Sequence, residues 1–433
     1  MRKAVLGRPS NNVKMGIVGL PNVGKSTFFN LLCSMNVAAE NFPFCTIDPN
    51  LSKVAVPDDR FDTLVASFKP KSVVPAVLTV TDIAGLVKGA SEGAGLGNAF
   101  LSHIQAVDGI FHMCRAFSSD EIVHVEGRVD PVADLEIIHA ELRLKDLAIV
   151  TAKVDGMRKN VERKVGGKEA LEEFQCLEKM QALMTEGKDL REGSWSPAEV
   201  DVVNKYNMIT AKPMVYLVNL SMKDYVRKAN KHLPALAEWI EKRGTGDKMI
   251  PISCEFEGKL AEVGEDAAKR EAFMKEVGAK TAFPRVIKTG YHCLNLIHFF
   301  TAGHDEVRAW TIKNGSTAPQ AAGCIHSDIQ KNFIAAEVYP FDAFKELGSE
   351  AEVKAQGKMR TQGKLYEVAD GDVCYFSEYP VFGGRPANRQ RRRASGAGLL
   401  VISNHKPCCD GPDPPPPRRA QFVRCRAIGE LLD

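Results

Sequence analysis

Gly19-Leu20-Pro21-Asn22-Val23-Gly24-Lys25-Ser26 reads G-x-x-x-x-G-K-S, a complete phosphate-binding loop, and its setting decides the fold. The strand-like run Val13-Lys14-Met15-Gly16-Ile17-Val18 enters the loop, and Thr27-Phe28-Phe29-Asn30-Leu31-Leu32 leaves it with helical apolar spacing. Two glycines let the backbone wrap closely, so N–H donors converge at the start of a helix whose dipole favours anions. Lys25 is expected to reach the β- and γ-phosphates of a nucleotide, and the Ser26 hydroxyl to complete part of an octahedral Mg2+ shell.

Outward from the loop, Ala39-Glu40-Asn41-Phe42-Pro43-Phe44-Cys45-Thr46-Ile47-Asp48-Pro49-Asn50 is polar and proline-marked, with the length of a mobile segment over a ligand. Val73-Val74-Pro75-Ala76-Val77-Leu78-Thr79-Val80-Thr81 reads as one buried strand ending at Asp82-Ile83-Ala84-Gly85. An Asp delivered by a strand and followed three residues later by Gly is the second half of a nucleotide switch. Asp82 would hold Mg2+ through water, and Gly85 would let a backbone N–H approach the γ-phosphate. Further core strands are read at residues 108–117, 213–219 and 250–253. Alternating with helical segments, they predict a parallel sheet wrapped by helices, with the ligand over the strands' carboxyl ends.

Strand signals vanish from about residue 130 to 206. Leu135, Ile138 and Leu142 share one helical face, Leu171, Phe174 and Leu177 another, and Ser196-Pro197-Ala198-Glu199 opens a further helix as a capping box. This stretch is read as a helical hairpin inserted into a nucleotide domain spanning 14–283, serving either as a partner-binding arm or as a solvated helical pair. Residues 294–376 have a different grammar: strands at 307–312 and 333–338, a short helix starting near Pro319, and a closing turn and strand at 370–376. That predicts a small α+β domain. It carries no catalytic constellation, so its expected role is binding.

At 433 residues, 44% hydrophobic and 26% charged, the chain has room for two or three soluble domains. No run approaches the ~18 apolar residues of a membrane span, and no apolar signal core follows Met1-Arg2-Lys3, so a cytoplasmic, membrane-free protein is expected. The 11 cysteines are scattered apart from Cys408-Cys409 and match no zinc spacing, which suits reduced thiols. The formal charge of +3 divides unevenly. Residues 377–433 carry 10 basic and 5 acidic side chains, leaving 47 basic and 49 acidic before them. The body is therefore nearly neutral and no specific DNA partner is expected. The tail holds Arg389-Gln390-Arg391-Arg392-Arg393, Pro414-Pro415-Pro416-Pro417 and 8 of the 23 prolines, and reads as disordered, with an RNA-binding or nuclear-import segment as the alternative.

With these residues in place, the chain from about Lys14 to Phe376 resembles the Obg-like ATPase family, a branch of the translation-associated P-loop GTPases. The resemblance rests on the phosphate loop, Asn41-Phe42-Pro43-Phe44-Cys45-Thr46, Asp82-Ile83-Ala84-Gly85-Leu86-Val87-Lys88-Gly89-Ala90 and Gly323-Cys324-Ile325-His326-Ser327-Asp328. It implies a Ras-like nucleotide domain with a helical insertion, a following ubiquitin-like TGS domain, ATP hydrolysis with Mg2+, and association with ribosomes. A monomer is expected. Thr46 matches the switch threonine, a second Mg2+ ligand beside Ser26 and Asp82. The expected nucleotide contacts are Asn22, Val23, Gly24, Lys25, Ser26, Thr27, Gly85, Asn219, Leu220 and Ser253.

Two departures from ordinary GTPases have physical content. The usual guanine reader is N-K-x-D, whose Asp accepts guanine's N–H groups, whereas this chain reads Asn219-Leu220-Ser221-Met222. Met222 cannot accept those bonds, and a site that leaves buried donors unpaired loses about 1–3 kcal/mol for each. Adenine becomes admissible and GTP is expected to bind less well, with a backbone carbonyl near Leu220 meeting the amino group as the resemblance implies. Leu86 stands where a water-orienting glutamine usually follows Asp-x-x-Gly, and leucine orients nothing by hydrogen bonds. The resemblance assigns that task to His112 on a mobile loop, so Lys25 and His112 are the expected catalytic residues; a packed histidine at a strand end is the alternative. Asn22 invites a monovalent cation, K+, beside the phosphates.

Overall fold

A computed structural model describes residues 5–7, 13–34, 50–83, 102–119, 121–163 and 165–378. Thr46, Gly85 and Leu86 lie outside them, as does the tail beyond 378. Two six-stranded sheets organise the described chain. The first contains β1 (Lys14–Val18), β2 (Leu51–Ala55), β4 (Val77–Asp82), β5 (Gly109–Arg115), β6 (Met214–Asn219) and β7 (Lys248–Ile252), in the order β2-β4-β1-β5-β6-β7. The strands read from the sequence, β1, β4, β5, β6 and β7, pair in parallel as expected, and β2, which that reading did not find, joins β4 antiparallel at the edge and makes the sheet mixed. All seven residues of β5 are buried, as are the six of β6, because helices cover both faces at the centre of the sheet.

On one face lie α1 (Lys25–Ser34) and α10 (Phe283–Cys293), joined by the rings of Phe28 and Phe283 at 5.3 Å. On the other lie α3 (Pro131–Glu162) and α7 (Leu233–Lys242). The sequence sets the start of α3 clearly: Asp130 accepts from Ala133 N and Pro131 occupies the first turn, where a missing N–H costs nothing. The far half of α3 leaves the sheet and packs Val150 and Val154 against Phe174, Leu177 and Met180 of α4 (Gly167–Thr185) in a core of its own. Leu171, expected on that face, is exposed at 44%. Ser196 then caps α5 (Pro197–Lys205), its Oγ accepting from Glu199 N.

The second sheet runs β11-β10-β12-β8-β9-β3, from β3 (Ser72–Val74), β8 (Leu296–Ala302), β9 (Glu306–Lys313), β10 (Phe333–Pro340), β11 (Arg360–Gln362) and β12 (Asp372–Glu378). Its outer strand is a finding against the sequence reading. The run Val73 to Thr81 is not one strand: it breaks before Pro75, β3 joins β9 in parallel as Ser72↔Glu306, and β4 joins β1. Proline fixes φ and removes the N–H that a continuous ladder needs. The segment between β2 and β4, including α2 (Asp59–Phe68), is thereby welded to the C-terminal sheet. Phe61 faces Phe300 at 6.1 Å and Phe68 stacks on Phe344 at 5.7 Å. Beside them Arg60 bridges Asp58 (2.8 Å) and Asp370 (3.1 Å), and His298 Nε2 bonds Asp58. Burial opposes ionisation of Asp58, but hydrogen bonds from His298 and Arg60 overcome it and hold the carboxyl well below the usual carboxylate range.

Candidate nucleotide site

The loop Gly19 to Gly24 turns at the carboxyl end of β1, between β4 and β5. Gly24 has φ +104°, and a Cβ there would meet Asn219 Nδ2 at 2.5 Å, so both backbone angle and clearance demand glycine. Asn22, at φ +62°, is exposed and donates its side-chain N–H to Val123 O at 3.1 Å, drawing the segment after β5 over the loop. Ser26 and Thr27 are exposed in the first turn of α1, while Val23 is fully buried.

Lys25 folds into the loop, its ammonium donating to Leu20 O at 2.8 Å. Burial lowers its pKa to about 8 and the Asp82 charge works the other way, so the side chain stays mainly cationic at neutral pH. Asp82 ends β4. Its Oδ1 is buried with no hydrogen-bond partner among the described residues. A carboxylate oxygen kept out of water without a donor is costly, and beside a hydroxyl-bearing helix start it fits an oxygen-ligated cation such as Mg2+.

The side where the base is expected is built by β6 and β7, paired as Asn219↔Ile252, so that the turns leaving them lie side by side. Asn219 is 3% exposed and works in two directions: Nδ2 donates to Val23 O of the phosphate loop at 2.9 Å, and Oδ1 accepts from Cys254 N at 3.1 Å. Leu220 is buried, its N–H bonded to Ile252 O. Ser253 is fully buried and caps α8 (Cys254–Glu262), accepting from Phe256 N. Burial pushes the Cys254 thiol up to about 12, which leaves it inert.

His112 sits elsewhere than on a mobile loop, which corrects that expectation. It is the fourth residue of β5, 1% exposed, in register with Val18 one step before the phosphate loop. Its neighbour Phe111 packs on Gly290 of α10, whereas the His112 ring faces α3, 5.4 Å from His139. Burial and the nearby cationic groups hold its pKa well below the ordinary imidazole value, and its Nδ1 has no hydrogen-bond partner among the described residues. The sequence reading brought Asn22, Val23, Gly24, Lys25, Ser26, Asp82, Asn219, Leu220 and Ser253 to one end of the sheet; the structure leaves His112 on the face opposite α1.

Sequence reasoning missed a buried network where the helical arm joins the sheet. Asp189, 0% exposed, accepts from His139 Nδ1 (2.7 Å), Arg143 (2.9 Å) and Arg243 (2.6 Å), while His139 Nε2 meets the Tyr216 hydroxyl at 3.1 Å. The local signal was the Asp189-to-Glu192 capping spacing, which marks a turn but says nothing of partners 50 residues away.

A phosphate loop on a mixed sheet, with Asn219 tying it to a second loop, defines a P-loop nucleotide-binding hydrolase fold. A family model described as 50S ribosome-binding GTPase matches residues 14–153, and the YchF-type GTPase C-terminal model matches residues 296–378. Obg-like ATPase 1 of Oryza sativa subsp. japonica is 52% identical, covering 88% of this chain and 96% of its own; that of Homo sapiens is 53% identical, covering 86% and 94%. The solved structure of the Schizosaccharomyces pombe YchF GTPase superposes with a TM-score of 0.79 at 46% identity, covering 87% of this chain and 100% of that one. The chain belongs to the Obg-like ATPase (YchF) family.

Proposed function

We propose that this chain is a Mg2+-dependent nucleoside triphosphatase acting as a nucleotide switch, taking ATP in preference to GTP and associating with ribosomes in the cytosol as a monomer. The observation that supports it most is Asn219, whose one side chain joins the phosphate loop to the base-side loop through Val23 O and Cys254 N. Phosphate and base halves thus form one hydrogen-bonded unit.

Ser26 and Asp82, with Thr46, are the residues that would hold Mg2+, which when bound neutralises phosphate charge and orients the terminal phosphoryl group. Lys25 leaves Leu20 O for the β- and γ-phosphates, exchanging a neutral acceptor for a charged one. The Asn22 side-chain oxygen is the ligand a K+ ion beside the phosphates would take. Adenine is favoured because Met222 offers no acceptor where guanine presents two donors. The resemblance gives His112 the placing of the attacking water; from its buried seat the imidazole reaches that water only if the end of β5 moves, and the proposal carries that movement as a requirement.

Ribosome association is supported by the description of the family model over residues 14–153, and the C-terminal domain, of TGS type in this reading, is a binding module. No specific DNA contact is included. Equilibrium titration with Mg·ATP and Mg·GTP, followed by single-turnover hydrolysis with and without ribosomes, tests the reading. Tighter ATP binding and ribosome-accelerated turnover are expected. Negligible turnover that ribosomes leave unchanged would reduce the chain to a nucleotide-stabilised binding protein.

A further inference from the structure

Glu255 lies on the base side of the site. Because β6 and β7 end together, the turn 220–222 and the turn 253–255 are neighbours, and Glu255 Oε2 accepts from the backbone N–H of Met222 at 3.1 Å. Oε1 accepts from Lys259 Nζ at 3.0 Å, and the same ammonium lies 3.5 Å from Met222 Sδ. A carboxylate is therefore pinned against residue 222, the position at which N-K-x-D proteins present their guanine-reading Asp. The bonds from Met222 N and Lys259 hold it below the ordinary Glu pKa, so it is ionised at neutral pH. Each oxygen uses one lone pair on the protein and keeps another, and the side chain is 52% exposed, so a ligand can reach it.

We infer that Glu255 supplies from the neighbouring loop the base-reading carboxylate that Met222 cannot, and that it determines how much GTP this site accepts. The inference rests on the nucleotide reading above and sharpens it. Guanine presents N1–H and N2–H side by side, matching two carboxylate oxygens. Adenine presents one amino donor beside the N1 acceptor, which a carboxylate repels. A carboxylate at this edge raises affinity for guanine relative to adenine, against the preference set by Met222 and Leu220. The outcome is a site of mixed purine selectivity whose guanine share is owed to one side chain.

A plainer role competes with this one. Met222 opens the short helix α6 (Met222–Arg227), which Ser221 caps by accepting from Asp224 N, and Glu255 serves as an auxiliary cap for its first N–H. Glu255→Gln separates the two, since the amide oxygen still accepts from Met222 N while the second acceptor becomes a donor. Equilibrium titrations of the full chain with Mg·ATP and Mg·GTP, in wild type, Glu255→Gln and Glu255→Ala, provide the test. The ratio of GTP to ATP affinity is expected to fall tenfold or more in both variants, with the melting temperature of Glu255→Gln close to wild type. An unchanged ratio in both variants, with a lowered melting temperature in Glu255→Ala, would reduce Glu255 to a cap. A wild type that binds ATP but no GTP overturns this inference alone, whereas one that binds neither overturns the nucleotide reading as well.

Discussion

Two buried polar clusters share the first sheet, one over the carboxyl ends of its strands and one where the helical arm joins it, and they are finished differently. At the arm, Asp189 is met by His139, Arg143 and Arg243, and Arg191 pairs with Asp247. At the phosphate loop, Asp82 keeps a buried oxygen without a donor among the described residues, Lys25 spends its charge on a neutral carbonyl, and Asn22 and Gly24 hold left-handed backbone. The first cluster answers its carboxylate with cations of the protein itself, although Arg191 Nε and Nη2 and Arg243 Nε are buried without hydrogen-bond partners among the described residues. The second leaves a buried carboxylate oxygen without a donor beside an exposed helix start, which suits it to a ligand rather than to bracing the fold.

That contrast breaks most visibly at Lys25. Lys25→Ala is expected to cost on the order of a hundredfold or more in Mg·ATP affinity, since about two charge-assisted bonds to phosphate are lost. The melting temperature without nucleotide should move little, because among the described residues the side chain hydrogen-bonds Leu20 O alone. Isothermal titration beside differential scanning fluorimetry reads both, and normal ATP affinity in the variant would show that the incomplete cluster is not the site.

Asp189→Ala should do the reverse. Removing the shared carboxylate leaves Arg143, Arg243 and His139 facing one another in a dry interior, at a cost of about 3–5 kcal/mol. Chemical denaturation should register that loss, while nucleotide affinity measured well below the transition holds near the wild-type value. A variant as stable as wild type would place the network's worth elsewhere.

The smallest expected effect is a pH dependence arising at the same junction. Burial, the largest influence, lowers His139 to about 4 although Asp189 opposes it, and burial holds His112 well below 6.5. The unfolded chain therefore binds more protons than the folded one below about pH 6.5, so stability is fully present above that pH and is lost as pH falls toward 4. Each imidazole contributes about 1.4 kcal/mol per pH unit in that window. Asp146 runs the other way: burial raises it to about 6, so it regains one proton's worth of stability between about 6 and its unfolded value of 3.8. The midpoint should begin to fall between pH 7 and 6 and keep falling at least as steeply from 6 to 5, where two imidazoles outweigh one carboxylate. A midpoint that rises on acidification would contradict the neutral state of the buried imidazoles.

How much of this was legible in the chain depends on how far apart the partners lie. The phosphate loop, the Asp82 strand end, the Asn219 strand end and the Ser196 cap are local patterns, readable because a glycine turn, a run of apolar residues or a cap works over a few neighbours. The division at Pro75 was written in the sequence too, but its meaning was not. Nothing near residue 72 says that its ladder partner is Glu306.

The amino-acid order by itself determined the phosphate-binding chemistry, because donors, lysine and hydroxyl all fall within eight residues whose geometry follows from backbone sterics and a helix start. Only the tertiary structure decided the rest. It turned the His112 ring toward His139 on α3, joined the segment between β2 and β4 to the C-terminal sheet, and brought Glu255 to the amide of Met222, 33 residues away. Those outcomes belong to long-range pairing and burial, which depend on which faces of distant elements exclude water together, and no local pattern encodes that.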